Sequence, residues 1–137
     1  MQNIKKVDKY LEDAGVFFLA TVDGDQPKCR PLGFHLNIED KIYFGVGTFK
    51  EVWKQLQANP KLEIIALNKD GQRFLRYYGT AKEVNNPELV EKAFEIMPEI
   101  GKIYKANGWE MGMFYLDDAT AEFRNIMEIE ETFKFKY

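Results

Sequence analysis

The sequence predicts an antiparallel α+β fold: six or seven strands close as a small barrel, with helices on its outside. Three observations predict it. Short runs rich in β-branched and aromatic residues alternate with turn signals such as Asp23-Gly24-Asp25 and Lys69-Asp70-Gly71. Helical spacing is confined to the start of the chain and to stretches near residues 49–58, 86–97 and 99–106. The 137 residues, 45% hydrophobic and 15% aromatic, suffice for one core. No repeat, linker or low-complexity tract divides them, so residues 1–137 read as a single domain.

Ile4, Val7, Tyr10, Leu11 and Ala14 make the stripe of a first helix that Gly15 ends. Residues 16–22 form a strand, and the turn at Asp23-Gly24 leads into a second strand over about 27–36. If Leu32, Phe34, Leu36 and Ile38 point into the barrel, Cys29, Pro31, Gly33 and His35 share the other face. Such small residues admit either a planar ligand or the backbone of a second subunit. Residues 41–44 continue the sheet after a turn at 37–40. A helix then spans 49–58, with Thr48 and Glu51 spaced as a capping box and Asn59-Pro60 as the stop. Its buried stripe is Phe49, Val52, Trp53 and Leu56.

Residues 62–68 and 72–84 read as strands, which makes the sheet antiparallel throughout. Asn86-Pro87 starts a helix, with a capping side chain before a proline at its first position. Pro98 restarts the chain into a helix over 99–106 that ends at Asn107-Gly108. Strands at 112–116 and 120–127 complete the barrel.

The net charge of −3 argues against a nucleic-acid partner bound through its phosphates. One cysteine, Cys29, permits neither a disulfide nor a thiolate cluster, and a lone histidine offers no metal set, so no metal site is expected. No run approaches membrane-spanning length, and the chain reads as soluble and cytoplasmic.

The stretch 30–60 carries the chemistry. The strand Arg30-Pro31-Leu32-Gly33-Phe34 is followed by a second that ends in Gly45-Val46-Gly47-Thr48, and a helix opens directly after it. A helix start presents free N–H groups at a positive dipole end, and Lys50 and Lys54 stand one turn apart beside it. The arrangement is a seat for a small phosphate group. On residue type alone the two lysines describe a solvated helix face.

Taken in order, Phe17-Phe18-Leu19-Ala20-Thr21, Arg30-Pro31-Leu32-Gly33-Phe34, Ile42-Tyr43-Phe44, Leu56-Gln57-Ala58-Asn59-Pro60 and Leu75-Arg76-Tyr77-Tyr78-Gly79-Thr80-Ala81 resemble the pyridoxamine 5'-phosphate oxidase-like family over nearly the whole chain. The resemblance implies an FMN-binding, six- to seven-stranded antiparallel split β-barrel with peripheral helices, and a homodimer with flavin at the interface. It implies that Arg30, Pro31, Leu32 and Gly33 run along the flavin ring, that Phe44 and Gly45 line its flank, and that Thr48, Lys50 and Lys54 meet its phosphate. Many relatives carry a basic residue where this chain has Val52, and residues 126–137 lack the substrate grip of the true oxidases.

His35 reads as a packing or interface residue with no acid placed beside it, Cys29 as buried bulk, and Trp53 and Trp109 as core. No catalytic residue stands out. A second subunit is expected to cover spare apolar side chains at Phe114, Phe123, Phe133 and Phe135. Three functions follow from the resemblance. One is an FMN-dependent oxidoreductase acting on a small electrophile, such as a nitroaromatic or a quinone, with electrons from a nicotinamide cofactor. The others are a flavin-binding store or sensor without turnover, and a flavin-free dimeric module.

Overall fold

Alternation of apolar and polar residues drives most of the chain into strands, and a computed structural model, which describes residues 2–137, shows how they pair. The order is α1 (Gln2–Ala14), β1 (Phe17–Asp23), β2 (Gln26–Leu32), β3 (Leu36–Ile38), β4 (Lys41–Gly47), α2 (Glu51–Ala58), β5 (Lys61–Leu67), β6 (Arg73–Val84), α3 (Pro87–Ile96), α4 (Pro98–Asn107), β7 (Met111–Asn125) and β8 (Ile129–Phe135). The eight strands pair only in antiparallel fashion, in the order β2-β1-β5-β6-β7-β4-β3, with β8 also on β7.

The sheet curls into a barrel that stays open. Its two edge strands, β2 and β3, are joined by only Gly33, Phe34 and His35. The split therefore lies at a three-residue cusp. The expected single strand over 27–36 is broken there, and the alternation read across it fails: Leu32 packs on the main core, Phe34 and Ile38 on a second cluster, and His35 turns inward. A chain that passes from one edge of an open barrel to the other cannot keep one pleat.

The inward residues of β1, β5 and β6, Phe17, Leu19, Ile64, Ala66, Leu75 and Tyr77, meet Ile4, Val7 and Leu11 of α1 and Val52, Trp53 and Leu56 of α2. The smaller cluster joins Leu89 and Ala93 of α3 to Tyr104, Met111 and Met113. Asn86 caps α3 as the sequence predicts, its side chain accepting from Glu88 N. Gly108, at φ +66°, ends α4 in the left-handed region.

Two expected strands at 112–116 and 120–127 are one strand, β7, which bends where the register slips opposite Gly79. Asp118, at φ +45°, marks the bend. A strand not expected from sequence, β8, pairs with the second half of β7. Its polar residues alternate with Phe133 and Phe135, which go inward with Phe123, while Phe114 is buried beside its cross-strand partner Phe44 of β4. These four rings serve the chain's own core, so they are not the spare surface expected to meet a second subunit.

Candidate functional site

β4 delivers the chain to α2 through Thr48, Phe49 and Lys50. Thr48 N donates to Glu110 O at 2.9 Å and Lys50 N to Gly47 O at 3.0 Å, which holds the connection against the start of β7. Helix α2 begins at Glu51, two residues later than the sequence suggests, so Thr48 lies outside capping reach. No capping box forms; the Thr48 hydroxyl donates to Glu110 O at 3.3 Å instead. The cap position falls to Lys50, in extended conformation at φ −82°, ψ 152°, with no side-chain cap.

Trp53 N and Lys54 N donate to Lys50 O at 3.1 and 3.4 Å, so among the first-turn N–H groups of α2 those of Glu51 and Val52 are left without an intrahelical acceptor or a capping oxygen. Lys50 is exposed and makes no ion pair among the described residues, whereas Lys54 reaches Glu51 at 3.4 Å on the solvent side. Free N–H groups beside an unengaged ammonium suit an anion the size of a phosphate.

The glycines of β4 have a different use. A Cβ on Gly45 would meet the sulfur atoms of Met111 and Met113 at 2.9 and 3.0 Å, and one on Gly47 would meet the Phe49 ring at 2.5 Å. Side chains of the same chain already fill the hollows that these residues leave. Phe44 is fully buried, its ring 5.6 Å from that of Phe114 and edge-on to Phe17.

On β2 the exposed residues include Pro31 and Cys29; Cys29, expected to be buried, is open to solvent because the edge strand has no cover on that side. Pro27 and Pro31 lie opposite Val22 and Phe18. Lacking an N–H, they suit the outer edge of such a strand. Arg30 turns inward. Its Nη1 donates to Thr21 Oγ1 at 2.7 Å and Leu19 O at 3.3 Å, and its Nη2 to Gln55 Oε1 at 2.8 Å. Thr21 also donates to Gln55 Oε1, at 2.6 Å. Burial pulls the pKa of the Arg30 guanidinium below its ordinary value, and its hydrogen-bond partners are neutral acceptors.

Arg30 thus lashes β2 to β1 and α2. Pro31, Leu32 and Gly33 follow it to the cusp, with Gly33 approaching Gly15 O. The strand segment and the α2 start belong to one braced unit, although the side chains of Arg30, Phe44 and Lys54 are engaged within the protein. Sequence reading missed Thr21 and Gln55, yet each left a signal: a polar residue at an inward strand position, and a glutamine beside the buried stripe of a helix.

A cleft of about 540 Å³ opens next to Thr48, between Trp53 and Trp109 on one side and Val90 and Phe94 of α3 on the other. Trp53 is buried and crosses Gly112, where a Cβ would sit 2.5 Å from its ring. Trp109, expected in the core, is 40% exposed and lies against Phe49 with centroids 4.4 Å apart. The left-handed Gly108 just before it swings the indole to the mouth of the cleft.

His35, for which no acid was expected, is held by two. Its Nδ1 lies 2.7 Å from Asp8 Oδ1 and its Nε2 2.9 Å from Glu12 Oε2, both on α1. These partners are distant in sequence, and only the fold brings them together.

The family model for pyridoxamine 5'-phosphate oxidase matches residues 4–127. The chain belongs to that family. A NimC/NimA family protein from Clostridium acetobutylicum shares 32% identity with it and superposes with a TM-score of 0.86, covering 98% of this chain and 93% of its own. A protein from the same organism, related to general stress protein 26 of Bacillus subtilis and assigned to the pyridoxinephosphate oxidase family, gives a TM-score of 0.74 at 13% identity, over 97% and 94% of the two chains. A heme binding protein from Mycobacterium smegmatis gives 0.66 at 13% identity, over 91% of this chain and 57% of that one. The last two share the fold. No functionally curated protein matches the chain in sequence. This family member is an open split barrel with a cofactor-binding type of fold, and no helix among its described residues is long and apolar enough to cross a membrane.

Proposed function

We propose that the protein binds FMN and works as an oxidoreductase on a small substrate, as a homodimer with the flavin at the subunit interface. One observation carries the reading: the uncapped start of α2, with Lys50 unengaged beside it, in a chain of this family. In this reading Lys50, Thr48 and the N–H groups of Glu51 and Val52 hold the phosphate, with Lys54 contributing at longer range. The backbone of Arg30, Pro31, Leu32 and Gly33 meets the polar edge of the ring. Phe44 and Gly45 support that site from beneath rather than by direct side-chain contact.

Bound flavin supplies one- or two-electron transfer to a substrate on its face. The chain's own residues orient the ring, exclude water through Trp109 and Phe49, and fix the phosphate. Exposed Val16 just before β1, Phe18 on β1 and Leu67 on β5 offer apolar surface to a second copy, in keeping with a family that is commonly dimeric.

A flavin-free dimeric module is the second reading. It is favoured by the hollows at Gly45 and Gly47, which Met111, Met113 and Phe49 already fill. Titrating the purified protein with FMN separates the two. Saturable quenching of flavin fluorescence at one FMN per chain is the expected result, followed by anaerobic bleaching with NADH or NADPH and reoxidation by a nitroaromatic or quinone. No quenching at any FMN concentration sinks the flavin reading, and quenching without bleaching leaves a store.

A further inference from the structure

The junction between the two edge strands holds a cluster that the cofactor site does not use. His35 has a side chain only 7% exposed, yet each of its ring nitrogens faces a carboxylate oxygen, Asp8 at 2.7 Å and Glu12 at 2.9 Å. A carboxylate only accepts, so both bonds are donated at once by the imidazolium and by no neutral tautomer. Asp8 and Glu12 stand four residues apart on one face of α1, which makes the pair a fork closed on the cusp. The remaining neighbour with a ring contact, Phe17, meets the imidazole edge-on at 6.1 Å and carries no charge.

We propose that His35, Asp8 and Glu12 form a proton-dependent latch, which pins the cusp of the split barrel to α1 and so sets the position of the Arg30–Gly33 segment. Protonated, the imidazole ties the cusp to both carboxylates. When the proton leaves, Nδ1 keeps its hydrogen toward the better-buried Asp8, whose side chain is 28% exposed. Nε2 then turns a lone pair toward Glu12, and that carboxylate, 75% exposed, swings into water. One arm of the fork opens.

Burial alone disfavours the charged ring, but the bonds and charges of Asp8 and Glu12 outweigh it and raise the His35 pKa above its ordinary 6.5. With the folded pKa above the unfolded one, the latch contributes fully below about pH 6.5 and is lost as the pH rises through the folded value. That places the opening above pH 6.5, on the alkaline side of an ordinary imidazole.

The effect on the cofactor rests on the reading that residues 30–33 face FMN, whereas the latch itself does not. His35 is the only histidine in the chain, so its imidazole resonances need no assignment. An NMR titration of the full chain is expected to give a midpoint above 6.5, which Asp8→Asn with Glu12→Gln brings down, and amide exchange at 33–36 is expected to quicken above that midpoint. A wild-type midpoint at or below 6.5, or one that the double variant does not move, overturns the latch. FMN affinity should weaken roughly threefold or more across the same midpoint in the wild type and stay flat in the double variant. Affinity that ignores the midpoint overturns the link to the site, while failure to bind FMN at every pH overturns the flavin reading and leaves the latch to the NMR result.

Discussion

The Arg30 guanidinium donates to the Gln55 side-chain oxygen at 2.8 Å, which joins an edge strand of the barrel to the helix that follows β4. The same oxygen accepts from Thr21 at 2.6 Å, so one glutamine organises two donors in a nearly buried setting. Gln55→Leu removes the shared acceptor and strands both donors. It should destabilise the protein by about 1–3 kcal/mol in urea denaturation. Gln55→Glu keeps the acceptor and adds a counter-charge to Arg30, and it should lose less. Equal stability in the Leu variant and the wild type would show that the network adds nothing.

Lys50 occupies the cap position of α2 without capping it, which sets stability against binding. Lys50→Asp supplies an oxygen to the first-turn N–H groups and a negative charge at the positive helix end. The variant should gain about 0.5–1 kcal/mol without ligand. The same change should weaken FMN binding about tenfold or more, through loss of a charge-assisted bond and gain of repulsion. Lys54→Ala, which removes only an exposed pair with Glu51, should do much less. Paired thermal melts and flavin titrations check both signs, and a Lys50→Asp protein that binds FMN as tightly as the wild type refutes the phosphate assignment.

Two glycines distinguish rigid from yielding neighbours. A Cβ at Gly79 would strike the backbone of β7, Asp117 O at 2.8 Å and Ala119 Cα at 2.9 Å, whereas at Gly45 it would strike the mobile ends of Met111 and Met113. Gly79→Ala should cost about 1–3 kcal/mol and Gly45→Ala clearly less, since a methionine can change rotamer and a strand backbone cannot. Chemical denaturation midpoints with matched slopes measure the difference, and a reversed order would mean that β7 shifts to make room.

Cys29 sits exposed on the uncovered side of β2. A thiol reagent should modify it to one equivalent per chain in the folded protein, without denaturant. Labelling that waits for unfolding would mean that something covers this strand in solution, and a second copy would be the first candidate.

Much of the element order was legible because its signals are local. The stripe of α1, the Asn86 cap before Pro87 and the Gly108 stop each lie within one or two helical turns, and the ordered strand motifs pointed to the family whose model matches residues 4–127. The misreadings share a cause as well. Thr48 and Glu51 have capping spacing, but the pull of Glu110 on Thr48 delays the helix. Residues 117–119 look like a break, yet β6 pairs with β7 up to Asp117 and again from Thr120. β8 is rich in charge and escaped notice, although its alternation with Phe133 and Phe135 was there to be read.

By itself the sequence determined the fold class and much of the element order. These depend on periodicity and turn chemistry, which act over a few residues and survive in any compact arrangement of the chain. Only the tertiary structure decided that Arg30 points inward to Thr21 and Gln55, that the glycines of β4 are filled by methionine and phenylalanine, and that Asp8 and Glu12 close on His35. Gly47 and Phe49 apart, which stand two positions from each other, those contacts join residues 9 to 68 positions apart, and no local preference encodes them. They arise when the curled sheet packs on its helices and on itself, where a polar side chain drawn inward is stabilised by finding a partner.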